Sequence, residues 1–325
     1  MKRVLVDRPL HPDARELLSE NVEVIEIFND DKDALNSALK VVDGVICSAA
    51  LKMRKAEIRI SENLKVIGRP GVGYDSVDVE ESSKQGIPLV YTPDGPTESV
   101  AEHVIALMLM CTKSINTVQA ALKKKGDFGI RTKVTGIEAQ GKTLGLVGFG
   151  RIGQRAGEIA SLGLGMKIVV FDPYLNEKSV SVKKYEKVNT LEELLELSDV
   201  VSLHLPFMEK TAGLMGQNEF RKMKKTAFLI NTARGGVVDE TALIEAIESG
   251  EIAGAGLDVY AQEPPEKDNR LFTFDNVITT PHLSSFTYDG KRKMGIGVVQ
   301  GVLDVLNGKK PEFIVNGEVW DQRRT

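Results

Sequence analysis

Two hydrophobic periods alternate along the first hundred positions. Short β-branched runs, VLVD (4–7), VEVIEIF (22–28), GVIC (44–47), KVIG (65–68) and PLVY (88–91), read as strands. Between them, stretches such as 12–19 and 33–39 space their apolar residues along one face of a helix. Strands alternating with helices predict parallel strands joined by crossover helices. A longer helical pattern covers 97–125. Thr97 and Ser99 are its candidate N-caps, Ser99 and Glu102 have capping-box spacing, and Gly126 is its stop. At 1.5 Å per residue such a helix runs roughly 40 Å, enough to cross from one domain to another. Alternation then restarts with TLGLVG (143–148), KIVVFD (167–172), VVSLHL (200–205), AFLIN (227–231), GAGLDV (254–259) and VITT (277–280). These runs are almost continuously apolar, as in strands buried on both faces. A last helical pattern covers 288–307.

Composition narrows the class. With 325 residues, 42% hydrophobic and 27% charged, the chain has the balance of a globular protein of two domains, which excludes a disordered chain, a collagen or a coiled coil. A net charge of −4 provides no field to draw in nucleic acid or an anionic membrane, so neither is expected as a partner. The opening MKRVLVDRPL reads as a short strand without a signal-peptide core. The longest apolar run, 104–111, is far below the roughly 18 residues a membrane span needs. Cys47 and Cys111 are far apart and match no zinc or redox spacing, so no metal is expected and a reducing cytoplasm is the default compartment.

The 30 glycines cluster where strands end. Gly148, Gly150 and Gly153 form a GxGxxG between the strand TLGLV and a helical stretch beginning at Arg151. In that context Gly148 permits the tight turn, Gly150 lets backbone approach a pyrophosphate, and Gly153 lets helix and strand pack closely. The amides of Arg151 and Ile152 would face the phosphates at a helix N-terminus. Asp172 closes the next strand, KIVVFD, where a carboxylate takes ribose hydroxyls. It would repel a 2′-phosphate, and Pro173-Tyr174 supplies no arginine to hold one, so the pattern predicts NAD rather than NADP.

Four histidines are present: His11, His103, His204 and His282. His282 follows the strand VITT and Pro281 in a small polar loop, HLSS, at the end of a sheet where ligands bind. His11 reads as exposed, and His103 as a long-helix residue at an interface. His204 reads either as a buried hydrogen-bonded histidine or as part of the cofactor pocket. Arg234, in TARGG at a strand's carboxyl end, suits a carboxylate ligand, the alternative being a surface arginine. Glu263, in YAQEPP, could pair with a histidine, fixing its tautomer and raising its pKa, but spacing alone favours a solvated loop acid. Asp258 could hold a nicotinamide carboxamide or cap a loop.

Taken together and in this order, these residues resemble the D-isomer-specific 2-hydroxyacid dehydrogenases, which include phosphoglycerate dehydrogenases, glyoxylate/hydroxypyruvate reductases and D-lactate dehydrogenases. The likeness runs from about residue 43 to 315. It rests on GRPGVGYDSVD (68–78), TPDGPTESVAEHVIALML (92–109), GKTLGLVGFGRIG (141–153), HLPFMEKTAGLMG (204–216), NTARGGVVDE (231–240), GLDVYAQEP (256–264) and TPHLSSFT (280–287). The resemblance implies that His282 is the general acid and Glu263 its paired carboxylate, with Arg234 binding the substrate carboxylate and keto oxygen. It implies that Gly71, Val72 and Gly73 donate backbone amides to that carboxylate. It assigns cofactor contacts to Gly148, Gly150, Arg151, Ile152, Gly153, Asp172, His204, Pro206, Thr211, Thr232, Ala233, Arg234, Asp258, His282 and Ser284. Segment 47–51 lacks the basic residues that meet a substrate phosphate in phosphoglycerate dehydrogenases, although Lys52, Arg54 and Arg69 are close by.

The expected fold is α/β, with two doubly wound parallel-sheet domains. A Rossmann NAD-binding domain, 99–286, is inserted into a flavodoxin-like substrate domain, 1–98 with 287–325, and the active site lies in the cleft. The expected function is NAD-dependent reduction of a small 2-oxo acid, or oxidation of the 2-hydroxy acid, of glyoxylate or hydroxypyruvate type. Two alternatives stand beside it: a short D-3-phosphoglycerate dehydrogenase, and an NAD(H)-sensing binding protein of the co-repressor kind. The resemblance further implies a homodimer through the helix 97–125 and the segment after it. With the family pattern ending near Val315, about ten residues remain, too few for a regulatory domain.

Overall fold

A computed structural model describes residues 1–28, 31–175 and 185–325. The chain divides into two compact units, Met1–Thr97 with Ser285–Thr325, and Glu98–Ser284. The first holds five parallel strands: β1 (Arg3–Val6), β2 (Glu23–Glu26), β3 (Gly44–Ile46), β4 (Val66–Arg69) and β5 (Leu89–Tyr91). Their order is β2-β1-β3-β4-β5, the flavodoxin-like doubly wound arrangement. Its helices are α1 (Pro12–Ser19), α2 (Lys32–Leu39), α3 (Lys55–Ile60) and α4 (Val79–Lys84), and the last helix of the chain returns to it.

The near-continuous apolar runs follow from burial on both faces. Val4, Val6, Ile46, Val66 and Val90 pack against Ala14 and Leu18 of α1 and against Val298, Val299 and Val302 of the final helix. Their chain neighbours Leu5, Val45, Ile67 and Leu89 point the other way, onto Leu35, Leu39 and Ile58. Each such side chain contributes about 1.5–3 kcal/mol when fully buried. The edge of β5 is covered by the tail: Asn316 accepts the Leu89 amide at 2.8 Å and donates to Ile87 O at 3.0 Å.

The second unit holds β6 (Thr143–Val147), β7 (Lys167–Phe171), β8 (Glu186–Lys187), β9 (Val200–Leu203), β10 (Phe228–Asn231), β11 (Gly254–Leu257) and β12 (Val277–Thr279), all parallel. Their order, β12-β11-β10-β9-β6-β7-β8, is the Rossmann order with one strand added. β8 is too short and polar to leave a hydrophobic signature. The helices are α5 (Thr97–Thr112), α6 (Ile115–Lys125), α7 (Arg151–Leu164), α8 (Leu191–Leu197), α9 (Gln217–Lys222) and α10 (Glu240–Glu248); α11 (Tyr288–Leu306) completes the first unit. One face of the sheet packs on Ala101, Val104, Leu107 and Met108 of α5 and on Ala156 and Ala160 of α7. The other face packs on Leu194, Phe220 and Leu243 of the helices after β8.

The expected single helix over 97–125 is two helices bent by 66°. Ser114 takes the left-handed conformation at φ 52, and the Thr112 carbonyl accepts the Ile137 amide at 2.7 Å. A continuing helix would have needed that carbonyl for Asn116. The break therefore comes from a contact distant in sequence. At the other end, α5 already begins at Thr97, so Ser99 is a buried first-turn residue rather than the residue before the helix. Gly126 does end α6, at φ 60. α6 buries none of its own residues. No single helix among the described residues is long and apolar enough to cross a membrane.

Candidate active site

In the second unit the strand-end loops collect most of the residues singled out above. After β6 the chain turns at Gly148, φ 92, where a Cβ would stand 2.8 Å from His204 O. A Cβ at Gly153 would stand 2.7 Å from Gly148 O, so α7 packs close only with glycine there. Space around Gly150 is open. The amides of Arg151 and Ile152 precede the first bond of α7, Gln154 N–H to Gly150 O, and point out of the helix end. Asp172 binds the loop itself, accepting the Phe149 amide at 3.0 Å and the Tyr174 amide at 3.0 Å. Its remaining lone pairs can take ribose hydroxyls.

His204 stands behind this loop. Its ring lies against Gly153, and Nε2 is 3.0 Å from Ser202 Oγ. Burial pushes the imidazole down to about 4, so it is neutral and buttresses the glycine loop. Thr211 Oγ1 ties the turn after β9, donating to Pro206 O at 2.7 Å and accepting the Met208 amide at 2.9 Å. At the end of β10, Asn231 accepts the Ala233 amide and donates to Arg234 O, both at 3.0 Å. Thr232 Oγ1 is buried with no partner among the described residues. An open phosphate cradle, a fixed carboxylate and an orphaned hydroxyl at the carboxyl ends of β6, β7 and β10 fit NAD.

His282 Nδ1 lies 2.6 Å from Glu263 Oε2. The two side chains are 43% and 37% exposed, so the pair stays accessible. Burial pushes Glu263 up, but the hydrogen bond and charge of His282 and the Tyr260 amide outweigh it and hold the carboxyl below its ordinary range. An ionised Glu263 only accepts, so Nδ1 carries a proton and Nε2 is the working nitrogen. Arg234 adds a favourable charge to Glu263 and donates to Ala233 O at 2.7 Å.

Asp258 caps the loop that carries His282. It is fully buried, and accepts Thr280 Oγ1–H at 2.6 Å and the amides of Leu283 and Ser284 at 2.9 Å each. This holds His282 at φ 51, a left-handed conformation uncommon for a residue with a Cβ. Tyr260 and Glu240 were not foreseen as part of the site. Tyr260 donates its hydroxyl to Thr280 O at 3.0 Å, and Glu240 accepts the Ala261 amide at 2.9 Å. Both bonds join distant segments, which spacing in the sequence does not reveal.

In the first unit, Gly71, Val72 and Gly73 follow β4. The Gly71 amide is not available to a ligand, because it donates to Thr92 Oγ1 at 2.7 Å. Only the amides of Val72 and Gly73 remain as candidate donors. His11 is not exposed as expected: its side chain is 4% accessible and Nδ1 accepts the Asp13 amide at 3.3 Å, capping α1. Asp7, also buried, accepts the Ser48 amide at 2.7 Å and the Ser48 hydroxyl at 2.6 Å.

Comparison with known proteins bears on this arrangement. Residues 105–284 match the NAD-binding domain of the D-isomer specific 2-hydroxyacid dehydrogenases. The chain is 40% identical over 316 residues to the D-3-phosphoglycerate dehydrogenase of Methanocaldococcus jannaschii, matching 97% of this chain but 60% of that protein. It is 38% identical to the hydroxypyruvate reductase of Thermotoga maritima, over 94% of this chain and 98% of that one. A glyoxylate reductase from Paecilomyes thermophila superposes with a TM-score of 0.88 at 27% identity, covering 98% of this chain and 99% of that one. The chain belongs to the D-isomer specific 2-hydroxyacid dehydrogenase family, and its second unit carries the family's NAD-binding domain.

Proposed function

We propose that the protein is an NAD-dependent D-2-hydroxyacid dehydrogenase that reduces a small 2-oxo acid of glyoxylate or hydroxypyruvate type. The observation that carries this reading is the accessible His282–Glu263 pair beside Arg234. Bound NADH supplies the hydride that reduces C2. His282, as the imidazolium, gives the Nε2 proton to the oxygen that becomes the hydroxyl, while Glu263 keeps Nδ1 protonated and the ring aligned. In the reverse direction the neutral ring takes that proton back. Arg234 binds the carboxylate and polarises the keto oxygen. In the first unit the amides of Val72 and Gly73 receive a carboxylate.

Segment 47–51, which matches the phosphate-binding stretch and is tied by Ser48 to Asp7, carries no basic residue of its own, which favours an unphosphorylated acid over a phosphorylated one. The Thermotoga relative is named a hydroxypyruvate reductase, and the Methanocaldococcus one a phosphoglycerate dehydrogenase. NADH oxidation with glyoxylate, hydroxypyruvate and 3-phosphohydroxypyruvate separates the two. The expected order of kcat/KM puts the phosphorylated acid last, and its coming first would assign a phosphoglycerate dehydrogenase. No turnover with any of them, alongside tight NADH binding, would point to an NAD-sensing protein.

Arg234→Ala is expected to raise KM for the oxo acid about 10- to 100-fold, since a hydrogen bond to a charged group is worth roughly 1.5–3 kcal/mol. NADH affinity measured by fluorescence should barely change, and an unaltered KM would remove Arg234 from substrate binding.

We also assign a homodimer to the face of α6. Ile115 and Leu122 on α6, which buries none of its residues, and Phe128 just beyond its end are exposed at 40%, 51% and 66%. A second copy of the chain would cover them. Sedimentation should give a dimer for the protein and a monomer for Leu122→Glu with Phe128→Glu, and a wild-type monomer would contradict this. Cys47 and Cys111 are buried unpaired thiols, in keeping with a cytoplasmic location.

A further inference from the structure

The loop that carries His282 is held from one more side, by a residue of α5. His103 Nε2 lies 3.0 Å from Thr280 Oγ1, the same oxygen that lies 2.6 Å from Asp258 Oδ1. A hydroxyl has one proton to give. Asp258 takes two backbone amides as well as this hydroxyl, the pattern of an ionised carboxylate, which has none to give. The Thr280 proton therefore goes to Asp258, by far its shorter acceptor; Leu257 O is 3.5 Å away. The oxygen must then accept from His103, and Nε2 must be the donor.

Burial lowers the His103 pKa against the opposing pull of Asp258, 3.8 Å away. The ring is thus neutral near pH 7, with its single proton on Nε2. Its helix is a firm anchor, since Ala101, Val104, Leu107 and Met108 on α5 are buried in the sheet core.

We propose that His103 is a positioning residue: as the Nε2–H tautomer it fixes the Thr280 hydroxyl on Asp258, and Asp258 in turn holds His282 in register with Glu263. The effect on turnover rests on His282 being the acid–base group; the hydrogen-bond relay itself does not. Without His103, the Thr280 hydroxyl is free to turn toward Leu257 O. The cap on residues 283 and 284 then loosens around a backbone that must stay left-handed.

Two measurements test this. Ring nitrogen shifts of ¹⁵N-histidine-labelled protein, assigned by loss of one ring in H103Q, should show His103 protonated at Nε2 alone at neutral pH. An Nδ1–H tautomer would overturn the relay whatever the enzyme's activity. Kinetics supply the second. His103→Leu and Thr280→Val should each lower kcat for oxo acid reduction about 10- to 100-fold, the scale of a 1 Å misplacement, with NADH affinity unchanged. His103→Gln, whose amide nitrogen reaches about as far as Nε2, should recover most of it. Equal losses in His103→Gln and His103→Leu would show that ring packing, not the donated hydrogen bond, is what matters. If His103→Leu does not fold, the Thr280→Val kinetics and the tautomer still decide. An inactive wild-type protein would refute the proposed function, leaving the tautomer to judge the relay on its own.

Discussion

His282→Ala is expected to lower turnover of the oxo acid about 10²- to 10⁴-fold, the usual contribution of a positioned general acid. The loss should fall on kcat, with NADH affinity unchanged, because the glycine loop and Asp172 form a separate part of the second unit. Thermal stability should hold, since the imidazole is 43% exposed and bonds to the similarly accessible loop residue Glu263. Removing it also relieves the left-handed backbone only slightly, as alanine keeps a Cβ at φ 51. A collapse of NADH binding in this variant would move His282 from the chemistry to the cofactor.

Asp258→Ala should damage both fold and function, and so separate itself from His282→Ala. The carboxylate satisfies the Thr280 hydroxyl and the amides of Leu283 and Ser284 in a site without solvent. Each buried group left stranded costs about 1–3 kcal/mol. At roughly 2–4 °C per kcal/mol for a unit of this size, the melting transition should fall by several degrees or more. Turnover should fall at least as far as in the His103 variants, because the whole cap on His282 is gone. An Asp258→Ala protein with wild-type melting and lost NADH affinity would instead make Asp258 a direct cofactor ligand.

Much of this architecture was legible in the chain. Strands buried on both faces leave continuous apolar runs, and the alternation with helices gave two parallel doubly wound sheets. The GxGxxG was informative because a strand preceded it and a helix followed it. What escaped the sequence depends on contacts between distant segments. The helix over 97–125 breaks because Ile137 takes the Thr112 carbonyl, and no local propensity announces that. Asp258 and Gly71 have backbone or hydroxyl partners that only the folded loops bring within reach. The His11 side chain is buried because its ring packs edge-on against Tyr288 of α11 while it caps α1, contacts its position near the N-terminus disguised. The pairing of His282 with Glu263 came from family resemblance; spacing alone could not distinguish Glu263 from a solvated acid.

The central claim is that the second unit brings NADH and a 2-oxo acid together for hydride transfer assisted by His282. The most direct measurement uses NADH deuterated at both C4 positions with glyoxylate or hydroxypyruvate, and analyses the product by mass spectrometry and chiral chromatography. The account predicts one deuterium at C2 of the hydroxy acid and, from hydroxypyruvate, the D enantiomer alone, with product falling at least a hundredfold in His282→Ala. Product without deuterium at C2, or equal product from His282→Ala, would contradict it.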